Sequence, residues 1–289
     1  MVYSGFLAGR VVVIQKVSFR NFKAYRSLEL DLEPLTVLVG PNASGKTTLL
    51  QGLRLATELG AQRPDFSLGV AEQEALNSYG TVEPLELSLT GEWAGQTGLV
   101  VVVSEPKART AKVALQWAGA HQQVRASLDP HLSGGLFDPK TEGPPALRQA
   151  LLATSILRFE AQALAAASYS EEPIPQLRGD GEGLASVLAY LKLSQDEVFD
   201  EIEQALKKVV PSVRRIRIER AAIEQTALRT IALDDQSHQV PERRTLWGNK
   251  VVLDMRGAKG VAADSVGEGT LMVLGLLTVL MSPQRPRLV

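Results

Sequence analysis

Residues 35–48 read LTVLVGPNASGKTT, and the fold turns on them. The first part, Leu35–Gly40, is a continuous apolar run. Such a run suits a strand at the centre of a sheet covered on both faces, because a half-exposed strand would alternate. From Lys46 the spacing changes. Leu49, Leu50, Leu53, Ala56 and Leu59 recur at helical intervals, and Gly60 supplies a stop. Between the two stands GPNASGKTT, Gly40–Thr48, which satisfies G-x-x-x-x-G-K-[ST] at every fixed position.

The chemistry of that pattern is phosphate binding. Gly40 lets the chain turn sharply out of the strand, and Gly45 allows backbone to approach phosphate oxygens. The amides of Pro41–Gly45, the proline excepted, and the helix N-terminus then aim partial positive charge at the ligand, so Gly40, Pro41, Asn42, Ala43, Ser44 and Gly45 form the expected cradle. Lys46 is expected to reach the β- and γ-phosphates, Thr47 to offer its hydroxyl to Mg²⁺, and Thr48 to reach the α-phosphate. ATP and Mg²⁺ are the expected ligands. A glycine-rich turn with an accidental lysine is the bland alternative, but it explains neither the apolar run before nor the helix after.

Composition sets outer limits. The 289 residues are 45 % hydrophobic and 22 % charged, ordinary for a globular protein with a sizeable core. A formal net charge of -1 gives no global pull toward nucleic acid or membrane, so any such surface must be local. The absence of cysteine excludes disulfides and thiolate metal sites and fits a cytoplasmic location. The three histidines, His121, His131 and His238, stand far apart, which argues against zinc. No stretch approaches the length of a spanning helix, so no membrane partner is expected; the longest apolar segment, 271–281, reads as a buried helix.

Outward from the P-loop, the stretch from Val13 alternates as a strand with Val13, Gln15, Val17 and Phe19 on one face, and LELDLEP repeats the alternation up to Pro34. Residues 61–80 read as polar loop. Short alternating runs from 85 to 117 predict an antiparallel meander, and four prolines and three glycines mark 129–145 as a linker. A helix and a strand are expected over ALRQALLATSILRF. Two helices come next, GLASVLAYLKL and SQDEVFDEIEQALKKVV, the second capped by Ser194 with Glu197 beyond it. VRRIRIER, ALRTIAL and KVVLDMRG read as three strands, then a helix runs over 268–282. There is no internal repeat and no sustained heptad pattern.

The segment VSFRNFKAYRSLELDLEPLTVLVGPNASGKTTLLQGL resembles the N-terminal head of the RecF/SMC-like ATPases, relatives of ABC-type nucleotide-binding domains. These heads open on a strand, an aromatic-rich turn, a second strand and a P-loop containing Pro-Asn. Phe19, Phe22 and Tyr25 occupy the aromatic-rich turn, a region that in such heads packs beside the bound base. No one of them is assigned to stacking, and a core role is the stronger reading for each. The resemblance implies an α/β P-loop NTPase of ABC/SMC-head type, with a mixed central sheet, an antiparallel β meander and a helical insert. It divides the chain into residues 1–60 (strands and P-loop), 61–145 (meander and linker), 146–260 (insert) and 261–289 (signature helix and the start of the acidic strand), one head overall. The interval between the motifs is too short and proline-rich for an SMC coiled coil and resembles the insert of the small AAA-family ATPases.

Ser265-Val266-Gly267-Glu268 then resembles the superfamily signature, Ser-x-Gly-Gln or Ser-x-Gly-Glu before an apolar helix. By itself it is an ordinary helix cap. The resemblance implies that Ser265, Gly267 and Glu268 contact the γ-phosphate of a nucleotide held by another head, so that ATP drives a head-to-head homodimer that loosens when that phosphate leaves.

Hydrolysis in this superfamily uses an apolar strand ending in Asp-Glu. Val100–Pro106 has Ser104 where the Asp belongs and precedes the signature; Lys250–Met255 has an Asp without a following acid. Both read as plain sheet. RRIRIER sets Arg215 and Arg217 on one strand face and Ile216 and Ile218 on the other, with Glu219 partly neutralising it, and reads as a solvated face before it reads as a phosphate patch. No catalytic residue is therefore assigned. In the family the acidic strand comes after the signature helix and a proline turn, which matches Pro283, Pro286 and Leu288-Val289 at the end of this sequence, so the chain is expected to bind nucleotide weakly and hydrolyse it negligibly. The expected function is an ATP-binding head that switches a DNA-directed or effector partner, in genome defence or DNA repair. A non-hydrolysing nucleotide sensor or an inactive fragment of a longer ATPase are the alternatives, and DNA as a direct partner is left open.

Overall fold

The computed structural model describes residues 13–33, 35–61, 75–78, 81–93, 96–106, 108, 110–117, 120–128, 151, 154–233 and 236–283. The linker expected at 129–145, most of the loop at 61–80, most of the helix expected after 146 and the stretch from 284 onward lie outside the described residues. Two compact units meet in sequence between Ile156 and Leu157. The expected segments 1–60 and 61–145 thus share the first unit, and the signature helix lies in the second with the insert.

In the first unit, β1 (Val13–Phe22) and β2 (Tyr25–Asp31) form a hairpin, followed by the helix α1 (Lys46–Gly60). The meander consists of β3 (Leu85–Trp93), β4 (Gln96–Ser104), β5 (Thr110–Trp117) and β6 (Ala120–Ser127). All pairings are antiparallel, in the order β2-β1-β3-β4-β5-β6. Alternation aims Val17, Phe19, Leu87, Leu89, Val100, Val102, Val113 and Leu115 at one core with Leu49, Leu55, Ala56 and Leu59 of α1. Each such side chain taken fully from water contributes about 1.5–3 kcal/mol. The helix sits very close to the sheet: a Cβ at Gly52 would meet two ring carbons of Phe19 at 2.5 Å.

Two expectations change here. A bulge between Ile14 and Lys16 shifts the register of β1 against β3. The inward phase therefore passes to Ile14, and Gln15, expected beside Val17, is exposed. More consequentially, Leu35–Gly40 forms no strand. No described strand pairs with it, and Leu35, Val37 and Val39 are 83, 72 and 90 % exposed. Only Leu38 packs against the core. An apolar run becomes a central strand when neighbours satisfy its backbone; apolarity creates the demand for cover and does not supply it. The α/β architecture, the meander and the insert are as expected, while parallel pairing, which a mixed sheet requires, is absent from the described pairings.

In the second unit come α2 (Ala161–Ala165), α3 (Leu184–Ser194), α4 (Asp196–Val209), the hairpin of β7 (Val213–Leu233) and β8 (Gln236–Met255), β9 (Ala258–Ala262), and α5 (Glu268–Met281). Leu184, Leu188, Ile202, Leu206, Ile216, Leu253 and Leu274 form its core. VRRIRIER and ALRTIAL, expected as separate strands, run as one, because β8 supplies a continuous partner from Gln236 to Met255. Ser194 does not cap α4: α3 continues through it, and Gln195 takes the cap position. The helix α5 is buried on one side only, with Leu276 and Leu280 exposed.

Candidate functional site

The P-loop turn is a compact, internally bonded object. Ser44 N–H donates to Pro41 O at 3.3 Å, closing the turn, and Leu49 N–H donates to Gly45 O at 2.9 Å, opening α1. Two residues stand in the left-handed region, Ala43 at φ 64° and Gly45 at φ 93°. The second explains the glycine twice over, since a Cβ there would also lie 2.6 Å from the Tyr25 hydroxyl. The Lys46 ammonium is turned back into the loop, where it donates to Gly40 O at 2.8 Å, Pro41 O at 2.7 Å and Ser44 Oγ at 3.2 Å. Gly40, Pro41, Asn42, Ala43, Ser44 and Thr47 are exposed, while Gly45, Lys46 and Thr48 are half-buried. All nine sequence-predicted residues are thus contiguous and solvent-accessible at the N-terminus of a fifteen-residue helix.

Tyr25 belongs to this site in a way that spacing could not reveal. Its hydroxyl donates to Gly45 O at 3.1 Å, its ring leans on Phe19 at 6.4 Å, and its carbonyl accepts from Ser78 Oγ at 3.0 Å. One turn along, Lys23 Nζ donates to Gln51 Oε1 of α1 at 3.0 Å. The β1–β2 hairpin therefore grips the first turns of the P-loop helix. Phe19 and Phe22 are core residues, in line with the stronger reading, at 0 and 1 % exposure. The link from position 25 to position 45 exists only because the start of β2 faces the N-terminus of α1.

The signature turn, in the other unit, is built differently. A single 3₁₀ turn over Ala263–Ser265 leads to Gly267, which caps α5, and Glu268 is the first helical residue. Val266 packs into the core, whereas Ser265, Gly267 and Glu268 are exposed. The Ser265 hydroxyl donates to the Asp264 carboxylate at 3.1 Å. A Cβ at Gly267 or Gly269 would meet nothing within 4 Å. Upstream, the turn into β9 is tied by Gly260 N–H donating to Asp254 Oδ1 at 2.9 Å, a bond that chiefly holds the Asp254 carboxyl below its usual range, helped by Arg217. Lys250–Met255 is plain sheet within β8 and Val100–Ser104 lies within β4, as read from the sequence.

The P-loop fits a nucleotide by its own chemistry. It offers a lysine already among loop carbonyls, a glycine where a Cβ would collide, and a helix start free of acidic side chains. For Mg²⁺ the fit is partial. Thr47, exposed in the first turn of α1, would offer one hydroxyl oxygen, and among the described residues no group of three or more His, Asp or Glu side chains could hold a metal. The remaining ligands would be nucleotide oxygens and water.

The family model for the AAA ATPase domain matches residues 13–87. The OLD nuclease of Thermus scotoductus is 31 % identical over 77 residues, covering 27 % of this chain and 14 % of that protein. The DNA replication and repair protein RecF of Cyanothece sp. is 35 % identical over 103 residues, covering 33 % of this chain and 27 % of its own. RecF of Roseiflexus castenholzii is 49 % identical over 41 residues, covering 14 % of this chain and 10 % of its own. The chain thus spans no more than 27 % of any of these relatives. A solved structure of the recombination mediator protein RecF with ATP, from the RecFOR pathway, aligns with a TM-score of 0.36 at 13 % identity, over 93 % of this chain and 82 % of that one. Residues 13–87 are thus similar to AAA ATPase-domain sequence, and the P-loop lies inside the matched stretch. No helix among the described residues is long and apolar enough to cross a membrane.

Proposed function

We propose, from the RecF/SMC-like ATPase-domain sequence of residues 13–87, that the chain is an ATP-binding head that pairs with a second head across nucleotide. The observation that carries this reading is the P-loop turn with Lys46 held on Gly40 O and Pro41 O. Nucleotide binding exchanges those carbonyls for β- and γ-phosphate oxygens, which are stronger acceptors for an ammonium. The amides of the loop and the N-terminus of α1 take the remaining phosphate charge. Thr47 would hold Mg²⁺ together with the nucleotide, and the ion would supply charge neutralisation there. Ser265, Gly267 and Glu268 of one copy complete the γ-phosphate site of another, and loss of that phosphate releases the pair. The output is the switching of a DNA-directed or effector partner in DNA repair or genome defence.

Two measurements test it. A fluorescent ATP analogue with Mg²⁺ is expected to bind the chain saturably, and Lys46→Ala to weaken that binding about 10–100-fold while leaving the far-ultraviolet circular dichroism unchanged. Light scattering is expected to show a dimer with a non-hydrolysable ATP analogue and a monomer with ADP; equal masses under both conditions defeat head pairing. Phosphate release separates this switch from the non-hydrolysing sensor.

A further inference from the structure

The β7–β8 hairpin has a face whose inner half and outer half do different things. In register, Ile216 opposes Leu253, Ile218 opposes Val251, Arg220 opposes Asn249, Ala222 opposes Trp247, and Glu224 opposes Thr245. The first two pairs enter the core of the second unit. The outer pairs leave it, and there Trp247 is 61 % exposed with the Arg220 guanidinium over its ring, 5.4 Å from the centroid. Two residues along β8 from Thr245, on the same face, Arg243 is also exposed.

On the opposite face Arg217 pairs with Glu219 at 2.7 Å and Asp254 at 3.6 Å, and Lys250 with Glu219 at 3.6 Å, while Arg215 is exposed there without an aromatic neighbour in register. Among the described residues Arg220 and Arg243 have no acidic partner, although Glu224 shares their face. The indole is also alone. Its described neighbours on this face are Ala222, Thr245, Asn249, Glu224 and the two arginines, with no second large apolar side chain. The core of a protein–protein contact is apolar, whereas a lone ring flanked by unpaired guanidinium groups matches the way single-stranded nucleic acid is held. The ring is also rigidly mounted. Next to it, Asn249 N–H donates to Ser168 O and Ser168 N–H to Asn249 O, both at 2.9 Å, and Ser168 Oγ accepts from Ser186 N–H of α3 at 2.9 Å.

We propose that the outer half of this hairpin face is a single-strand nucleic-acid platform, in which a base stacks on Trp247 and Arg220 and Arg243 hold phosphates on either side. Six strand positions separate the two arginines, a span of about 20 Å, enough for several nucleotides. The platform is independent of the P-loop, so it goes beyond the nucleotide-switch reading and stands or falls apart from it.

The test is fluorescence anisotropy of a fluorescein-labelled oligo-dT with the full chain at several salt concentrations. Saturable binding is expected, with Trp247→Ala weakening it about tenfold and Trp247→Phe restoring part of the loss, as a stacking contact requires. Arg220→Ala and Arg243→Ala are each expected to lower the salt slope by about one. Glu224→Gln removes the opposing charge and is expected to tighten binding. Lys46→Ala weakens ATP binding but keeps the oligonucleotide, which separates failure of this platform from failure of the P-loop reading. No saturable binding at low salt, or Trp247→Ala binding as wild type, overturns the proposal. So does a Trp247→Ala change seen only in self-association by light scattering, which would make the face a protein contact.

Discussion

The P-loop turn and the signature turn both hand the chain into a helix N-terminus, yet they are made in opposite ways. At Gly45 a side chain is excluded by what is already there: the Tyr25 hydroxyl and a φ of 93°. At Gly267 φ is -58° and, among the described residues, nothing stands within 4 Å of a Cβ, so no described neighbour demands the glycine. The lysine of the first turn has three partners inside its own loop, whereas the serine of the second bonds, among the described residues, only the adjacent carboxylate. One turn is complete in itself, and the other leaves its groups facing outward. The glycine at 45 is a structural requirement; the one at 267 is left uncrowded, as the proposed contact with a second head needs.

Substitutions can break that contrast. The largest effect is expected for Gly45→Ala, which combines strained backbone with a collision and should cost the first unit about 2–3 kcal/mol, read by urea denaturation. A wild-type midpoint would mean that Tyr25 yields freely. Next is Lys46→Ala, with the loss of charge-assisted bonds weakening nucleotide about 10–100-fold in a titration while stability hardly moves. Tyr25→Phe removes one hydroxyl bond and should cost about 0.5–1.5 kcal/mol, with a few-fold weaker nucleotide binding. Gly267→Ala is expected to change stability by less than about 0.5 kcal/mol yet abolish dimerisation on an ATP analogue. Measurable destabilisation there would put the two turns in one class. The smallest effect concerns Asp254. Its carboxyl is held low by the Gly260 amide, so the bond contributes fully above the unfolded carboxylate pKa of about 3.9 and is lost as pH falls through the lower folded value. Acid titration followed at the Gly260 amide resonance should show that step, and its absence in Asp254→Asn.

The P-loop was legible because its requirements are local: four fixed positions, a preceding apolar run and a following helix all lie within 26 residues, 35–60. The meander and the α3–α4 pair were legible because their periodicity is local too. Failures came where the deciding neighbour is remote. Gln15 alternates with Val17 until a bulge against β3 intervenes, and Leu35–Gly40 carries the composition of a central strand without a described partner. Tyr25 reads as one more aromatic until Gly45, twenty residues on, stands beneath its hydroxyl. The division of RRIRIER into two strand faces was visible, but the exposed partner that gives the outer face its character, Trp247, comes from the returning strand.

The close seating of α1 at Gly52 has a mechanical meaning. With Phe19 and Phe22 against bare backbone, neither axial sliding nor rotation of the helix is available, because the next residue to arrive would bring a side chain where only hydrogen fits. Lys23 and Tyr25 add two pins from the same hairpin. A displacement of the N-terminus of α1 is therefore expected to carry the β1–β2 ribbon, and the sheet it belongs to, with it.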